Sequence, residues 1–146
     1  MSTTIERATA ADLPAILELL RRSALPPAGL EAHLSTTLAA RDGTRVVGCA
    51  ALELYGASAL LPSVAVDSAR RGQGLGRQLA DRACDLGRAR GARTVYLLTT
   101  TAGDFFPKLG FRTITRAEVD PAVRQSIEFT SACPADALVM RRELEP

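Results

Sequence analysis

Apolar positions along this chain follow two periods, and the places where one gives way to the other mark its elements. Residues 4–8 read as a short first strand. Thr9-Ala10-Ala11-Asp12 is a capping box, and Ile16, Leu17, Leu19 and Leu20 behind it form one face of a helix. Arg21-Arg22 suit the negative end of that helix, and Pro26-Pro27 stop it. Residues 29–35 predict a second short helix carrying the only histidine, His33, on an exposed surface. Asp42-Gly43 is a hairpin turn between strands 37–41 and 45–54. The second of these carries the run Val46 to Leu52, apolar enough for a central strand. Residues 59–66 form the next strand, where Pro62 cannot donate to a ladder and so predicts an edge or a bulge.

The period then changes again. Leu75, Leu79, Ala83 and Leu86 predict a helix to about Arg90, capped by Gly91. A strand over 94–98, a short helix over 102–109 ended by Gly110, and a strand over 111–115 follow. Asp120-Pro121 opens a helical turn. Residues 126–135 have no clear period, and 137–142 read as a closing strand. Strands and helices alternate without repeats or linkers, which predicts one layered α/β domain over residues 1–146.

The chemistry concentrates where strand gives way to helix, from Ser63 to Ala80. Gly72, Gly74 and Gly76 bare the backbone at the mouth of a helix, whose unpaired N–H groups and positive dipole end favour an anion. Arg70, Arg71 and Arg77 add positive charge. The turn lacks the Gly-Lys-Ser/Thr ending of a Walker A loop, and no dinucleotide G-x-G-x-x-G starts at Gly72 or Gly74. The spacing present is Arg71-x-x-Gly74-x-Gly76.

Composition narrows the classes. Hydrophobic residues make up 47% of the 146 and charged residues 23%, as in a soluble folded chain. No apolar run approaches the ~20 residues of a membrane span, and Met1 to Arg7 has no signal-peptide core, which predicts a cytoplasmic protein. A net charge of +2 gives little ground for a nucleic-acid partner. Cys49, Cys84 and Cys133 are widely spaced with no CxxC pair, so buried thiols at the first two, a loop thiol at the third and no metal site are expected.

Arg71-x-x-Gly74-x-Gly76 after Val64-Ala65-Val66 resembles the pyrophosphate signature of the GNAT N-acetyltransferases. Lys108-Leu109-Gly110-Phe111 is similar to the pattern that follows it in that family. Three stretches resemble the acetyltransferases of bacterial arsenic-resistance operons: Leu30 to Leu34, Leu97 to Ala102 with Phe105-Phe106, and Glu128 to Pro134. The Leu-Thr-Thr segment with Phe106 and Gly-Phe is also similar to the acetyltransferase domain of N-acetylglutamate synthase. The resemblance implies an α/β (α+β) GNAT fold: a mixed, mostly antiparallel sheet of about six to seven strands, splayed at its middle, with helices on both faces. It implies acetyl-CoA as co-substrate, an amino acid or amino-acid analogue as acceptor, direct transfer, and a possible homodimer through the C-terminal strands.

Carried onto this chain, the resemblance assigns the pantetheine arm and the acetyl carbonyl to the backbone of Val64, Ala65 and Val66. The pyrophosphate falls to Arg71, Gly72, Gln73, Gly74, Leu75, Gly76 and Arg77. Phe106 stands where relatives often place a tyrosine acid, so Tyr55 or water must protonate the departing thiolate, a fair leaving group at pKa about 8.5. Thr99 stands where many relatives have asparagine. Glu53, ending an apolar strand, is the expected base, with Glu128 second. Thr100 and Arg124 are expected at an acceptor carboxylate, alongside Glu128. Two other classes fit parts of the sequence. The arginines at 70, 71, 77, 82, 88, 90 and 93 could face nucleic acid, although no aromatic interleaves them. A regulator that binds acetyl-CoA without turnover would suit Phe106.

Overall fold

The computed structural model describes residues 3–23, 30–70, 74–99, 105–125 and 138–144. Seven strands form one sheet: β1 Thr3–Arg7, β2 Thr37–Asp42, β3 Arg45–Tyr55, β4 Ser58–Val66, β5 Thr94–Thr99, β6 Arg112–Ile114 and β7 Leu138–Glu143. Their order is β1-β2-β3-β4-β5-β7-β6, and every pairing is antiparallel except β4 with β5. Helix α1 spans Leu13–Arg22 and α2 spans Leu75–Ala89.

Side-chain alternation puts the two helices on opposite faces. Leu38 and Ala40 of β2, with Ala50 and Leu52 of β3, pack under Leu79, Ala80 and Ala83 of α2. The intervening Ala39, Cys49 and Ala51 pack under Ile16, Leu19 and Leu20 of α1. Gly48 lets α2 close on β3: a Cβ there would lie 2.9 Å from Leu79 Cδ1 and 3.2 Å from the Ala65 carbonyl. A third cluster of Leu60, Tyr96, Leu98, Ile114, Val119, Val123 and Val139 lies farther along the α1 face.

Of the predicted helix over 102–109, the described part forms the 3-10 turn Phe106–Leu109, with Gly110 at φ 92° ending it; residues 101–104 lie outside the described residues. Pro62 lies in an inner strand, just past the last residue that β4 pairs with β5, so it has both a bulge and a locally open side. β4 lies inside the sheet, and opposite the single Leu52 of β3 it places both Leu61 and Pro62, a bulge. There the missing N–H of proline interrupts a ladder already irregular.

Candidate functional site

The bulge falls where the sheet opens. β4 and β5 pair only as Ser58, Leu60 and the residue between them against Thr94 to Tyr96. Beyond Leu60 the ladder of β4 is with β3 alone among the described residues, while Leu97 to Thr99 pair with β7. The two strands therefore fork, and Val64, Ala65 and Val66 line one arm of the fork, paired to Ala50, Cys49 and Gly48.

At the end of that arm stands the N-terminus of α2. Gly74 is its cap at φ 80°, a left-handed conformation that costs a side-chain-bearing residue about 1–2 kcal/mol. Gly76 sits where Phe105 and Val66 converge: a Cβ there would lie 3.4 Å from Phe105 Cζ and 3.6 Å from Val66 Cγ2. No acidic side chain occupies the first turn of α2, so its N–H groups and dipole face the fork without an internal carboxylate there. Arg71, Gly72 and Gln73 lie outside the described residues.

Several arginines of this region lie close to acidic or carbonyl partners. Arg70 is hydrogen-bonded to Asp42 Oδ2. Arg77 is exposed and 3.9 Å from Asp81, Arg88 is 3.0 Å from Asp85, and Arg82 donates to the Ile5 carbonyl at 3.3 Å.

Just before the turn, Asp67 is buried and bound on several sides. Its Oδ1 accepts from Ala69 N at 3.0 Å and its Oδ2 from Arg45 at 2.9 Å, with Arg22 of α1 at 4.0 Å. The Ala69 amide, with the charges of Arg45 and Arg22, holds its carboxyl below the ordinary value. Asp67 thus ties the end of β4 to α1 and the start of β3. No sequence motif marked it.

Across the sheet from the fork lies a carboxylate. Glu53 pairs with Leu60, which pairs with Tyr96, so Glu53 shares a row with the last residues that join β4 to β5. It belongs to the α1 face, at the seam between the second and third apolar clusters, and is only 2% exposed. Tyr55, two residues on and half-buried, donates its hydroxyl to Glu53 Oε1 at 2.5 Å. Glu53 and Tyr55 therefore form one unit, as neighbours on a strand face should.

His33 belongs to this unit as well. Sequence reading put it on an open surface; the structure puts its Nε2 4.0 Å from Glu53 Oε2, with the side chain 28% exposed. The 3-10 turn Glu31–Thr36 is fastened over the end of β3. The buried Thr37 hydroxyl donates to the His33 carbonyl at 2.9 Å, and Thr36 Oγ1 reaches both that carbonyl, at 3.1 Å, and the carbonyl of Leu52. The contact spans twenty residues of chain, so local spacing could not reveal it.

The remaining predicted residues are dispersed. Thr99 ends β5, in register with Leu138. Phe106 is buried in the core under α2, edge-on to Phe105 and Phe111 with ring centroids 5.0 and 5.6 Å away. Arg124 is exposed in the 3-10 turn Val123–Gln125, its charge beside Asp120. Thr100, Glu128 and Cys133 lie outside the described residues. Cys49 and Cys84 are buried on opposite faces of the sheet, and burial pushes their thiols up to about 12 and about 11. They cannot share a ligand, and among the described residues no group of side chains is arranged to hold a metal ion.

The fold is shared with known proteins. The acetyltransferase (GNAT) domain family matches residues 33–113, more than half of the chain. The chain belongs to the GNAT acetyltransferase family. Among solved structures, N-acetylglutamate synthase from Neisseria gonorrhoeae, complexed with coenzyme A and N-acetyl-glutamate, superposes with a TM-score of 0.86 at 22% identity. That match covers 100% of this chain but 36% of the synthase. Rv2747 from Mycobacterium tuberculosis, in complex with CoA and NLQ, gives 0.82 at 25% identity over 97% of this chain and 99% of its own. YncA from Salmonella typhimurium, with its cofactor acetyl-CoA, gives 0.74 at 21% over 100% and 96%. No curated protein matches the chain.

Proposed function

We propose that this chain is an acetyl-CoA-dependent N-acetyltransferase that passes the acetyl group directly to the amine of an amino acid or amino-acid analogue. The observation that carries the reading is the alignment of the buried Glu53 with the row at which β4 and β5 part. A thioester laid along Val64 to Val66, its diphosphate over Gly74 to Arg77, would bring its reacting carbon toward that row. The backbone of Val64, Ala65 and Val66 would hold the pantetheine arm and steady the oxyanion. Arg71, Gly72 and Gln73, with Gly74, Leu75, Gly76 and Arg77, would hold the diphosphate.

Glu53 takes one proton from the acceptor ammonium, and the freed amine attacks the thioester carbon. The C–N bond forms, the C–S bond breaks, and the second proton shed by the attacking nitrogen ends on the departing thiolate. Tyr55 orients Glu53 through the bond to Oε1 and, with water, is a path for that second proton, regaining from the nitrogen what it gives to the sulfur; Phe106 has no hydroxyl to take this part. Thr99 and Phe106 would border the cofactor, and Thr100, Arg124 and Glu128 would bind the acceptor. Neighbours solved with coenzyme A and N-acetyl-glutamate, or with CoA and NLQ, support an amino-acid acceptor. Arsinic or phosphinic glutamate analogues are the finer choice, which would make the enzyme a resistance factor.

The test is CoA release from acetyl-CoA against glutamate, those analogues and the other amino acids. One or more should give saturable release, and Glu53→Gln should lower kcat by about 10²–10⁴-fold, the usual contribution of a positioned base. An unchanged kcat in Glu53→Gln would remove Glu53 from the reaction.

A further inference from the structure

A base that is 2% exposed must be emptied after every turnover, and the described residues offer a route for it. We infer that His33 is the relay through which Glu53 returns its proton to solvent, an inference that rests on the transfer proposed above. The two carboxylate oxygens are differently placed. Oε1 is held by the Tyr55 hydroxyl, and Oε2 is the oxygen that faces His33 Nε2 at 4.0 Å. That separation is about 1 Å beyond a direct hydrogen bond, which a small side-chain adjustment or a single bridging water closes. The imidazole is 28% exposed to water, whereas the Glu53 side chain is buried, at 3% exposure.

The ring is held there by design of the backbone around it. Thr36 and Thr37, both buried, fix the His33 carbonyl, and Thr36 also reaches the Leu52 carbonyl next to Glu53. The step balances without another reagent. The proton that Glu53 removed from the ammonium passes from its carboxyl oxygen to one ring nitrogen, and the ring releases a proton to water, leaving carboxylate and neutral imidazole. His33 acts only through Glu53, so its loss slows recovery of the base and leaves the binding of acetyl-CoA alone.

The experiment measures CoA release with the fastest amino-acid acceptor of the screen, at fixed pH, for wild type, His33→Ala, His33→Gln and Glu53→Gln, with and without free imidazole. Both His33 variants should lose kcat about tenfold, less than the ~10²-fold minimum for losing the base itself. KM for acetyl-CoA should stay unchanged. Imidazole should restore His33→Ala saturably and leave Glu53→Gln untouched. If wild type turns over and either His33 variant keeps full kcat, or the loss in His33→Ala ignores imidazole, the relay is wrong and the transferase stands. If wild type releases no CoA with any acceptor, transferase and relay fall together.

Discussion

In the proposed transfer the chemistry centres on Glu53, because burial and a 2.5 Å hydrogen bond from Tyr55 fix its carboxylate beside the row where the sheet opens. A hydrogen bond to a charged group contributes about 1.5–3 kcal/mol. Tyr55→Phe should therefore lower kcat by about tenfold, less than Glu53→Gln, with acetyl-CoA affinity intact; equal kcat in wild type and Tyr55→Phe would deny the hydroxyl an orienting part. Asp67 gives a prediction of the opposite kind, in stability. The Ala69 amide, with Arg45 and Arg22, holds its carboxyl below the ordinary value of 3.8, so the folded state gives up this proton more readily than the unfolded one. Asp120 is lowered similarly by the Ala122 amide and the Ser58 hydroxyl. Their stabilisation is full above pH 3.8 and is lost as pH falls through the lower folded-state values. Thermal unfolding should show Asp67→Asn well below wild type at pH 7 and the gap narrowing under strong acid. A gap that widens on acidification would reverse the sign.

Elements place these residues, and they were legible to different degrees. The Asp42-Gly43 hairpin, α1 behind its capping box, and the strand and helix that flank the glycine turn follow from local chemistry, and the structure has them within a residue or two, while residues 71–73 of the turn lie outside the described residues. Glu53 stood out because a carboxylate ending a long apolar strand is conspicuous. His33 did not, because its relation to Glu53 depends on a 3-10 turn docking over another strand. Pro62 was ambiguous for a related reason: a missing N–H tells of a broken ladder but not whether an edge or a bulge breaks it. The ion pairs of Arg70 and Asp67 join distant elements and had no local signature. Two glycines test the packing of α2. Gly48→Ala puts a methyl 2.9 Å from Leu79 Cδ1 and close to a carbonyl oxygen that cannot withdraw easily, so it should cost about 1–3 kcal/mol. Gly74→Ala meets no neighbour within 4 Å but must adopt φ 80°, so it should cost about 1–2 kcal/mol and also weaken acetyl-CoA binding. Denaturant unfolding reads both costs, and a neutral Gly48→Ala would mean that the helix sits farther from β3 than described.

At the scale of the whole molecule, the proposed reading puts the cofactor and acceptor functions in separate places on one sheet. The mouth of α2, on one face, would take the diphosphate; Glu53, Tyr55 and His33, on the α1 face, would serve the acceptor; and the fork between β4 and β5 would join them. No helix among the described residues is long and apolar enough to cross a membrane. The fold is kept at 21–25% identity to its structural neighbours. The acceptor, by contrast, would be chosen by side chains, several of them in segments that lie outside the described residues. The measurement that bears most directly on the central claim is a titration of the ¹⁵N-labelled protein with acetyl-CoA, followed through its backbone amide resonances. Saturable shifts should concentrate at Val64, Ala65, Val66, Gly74 and Gly76. Saturation with those amides unmoved, or no shifts at all, would contradict a thioester lying along the fork.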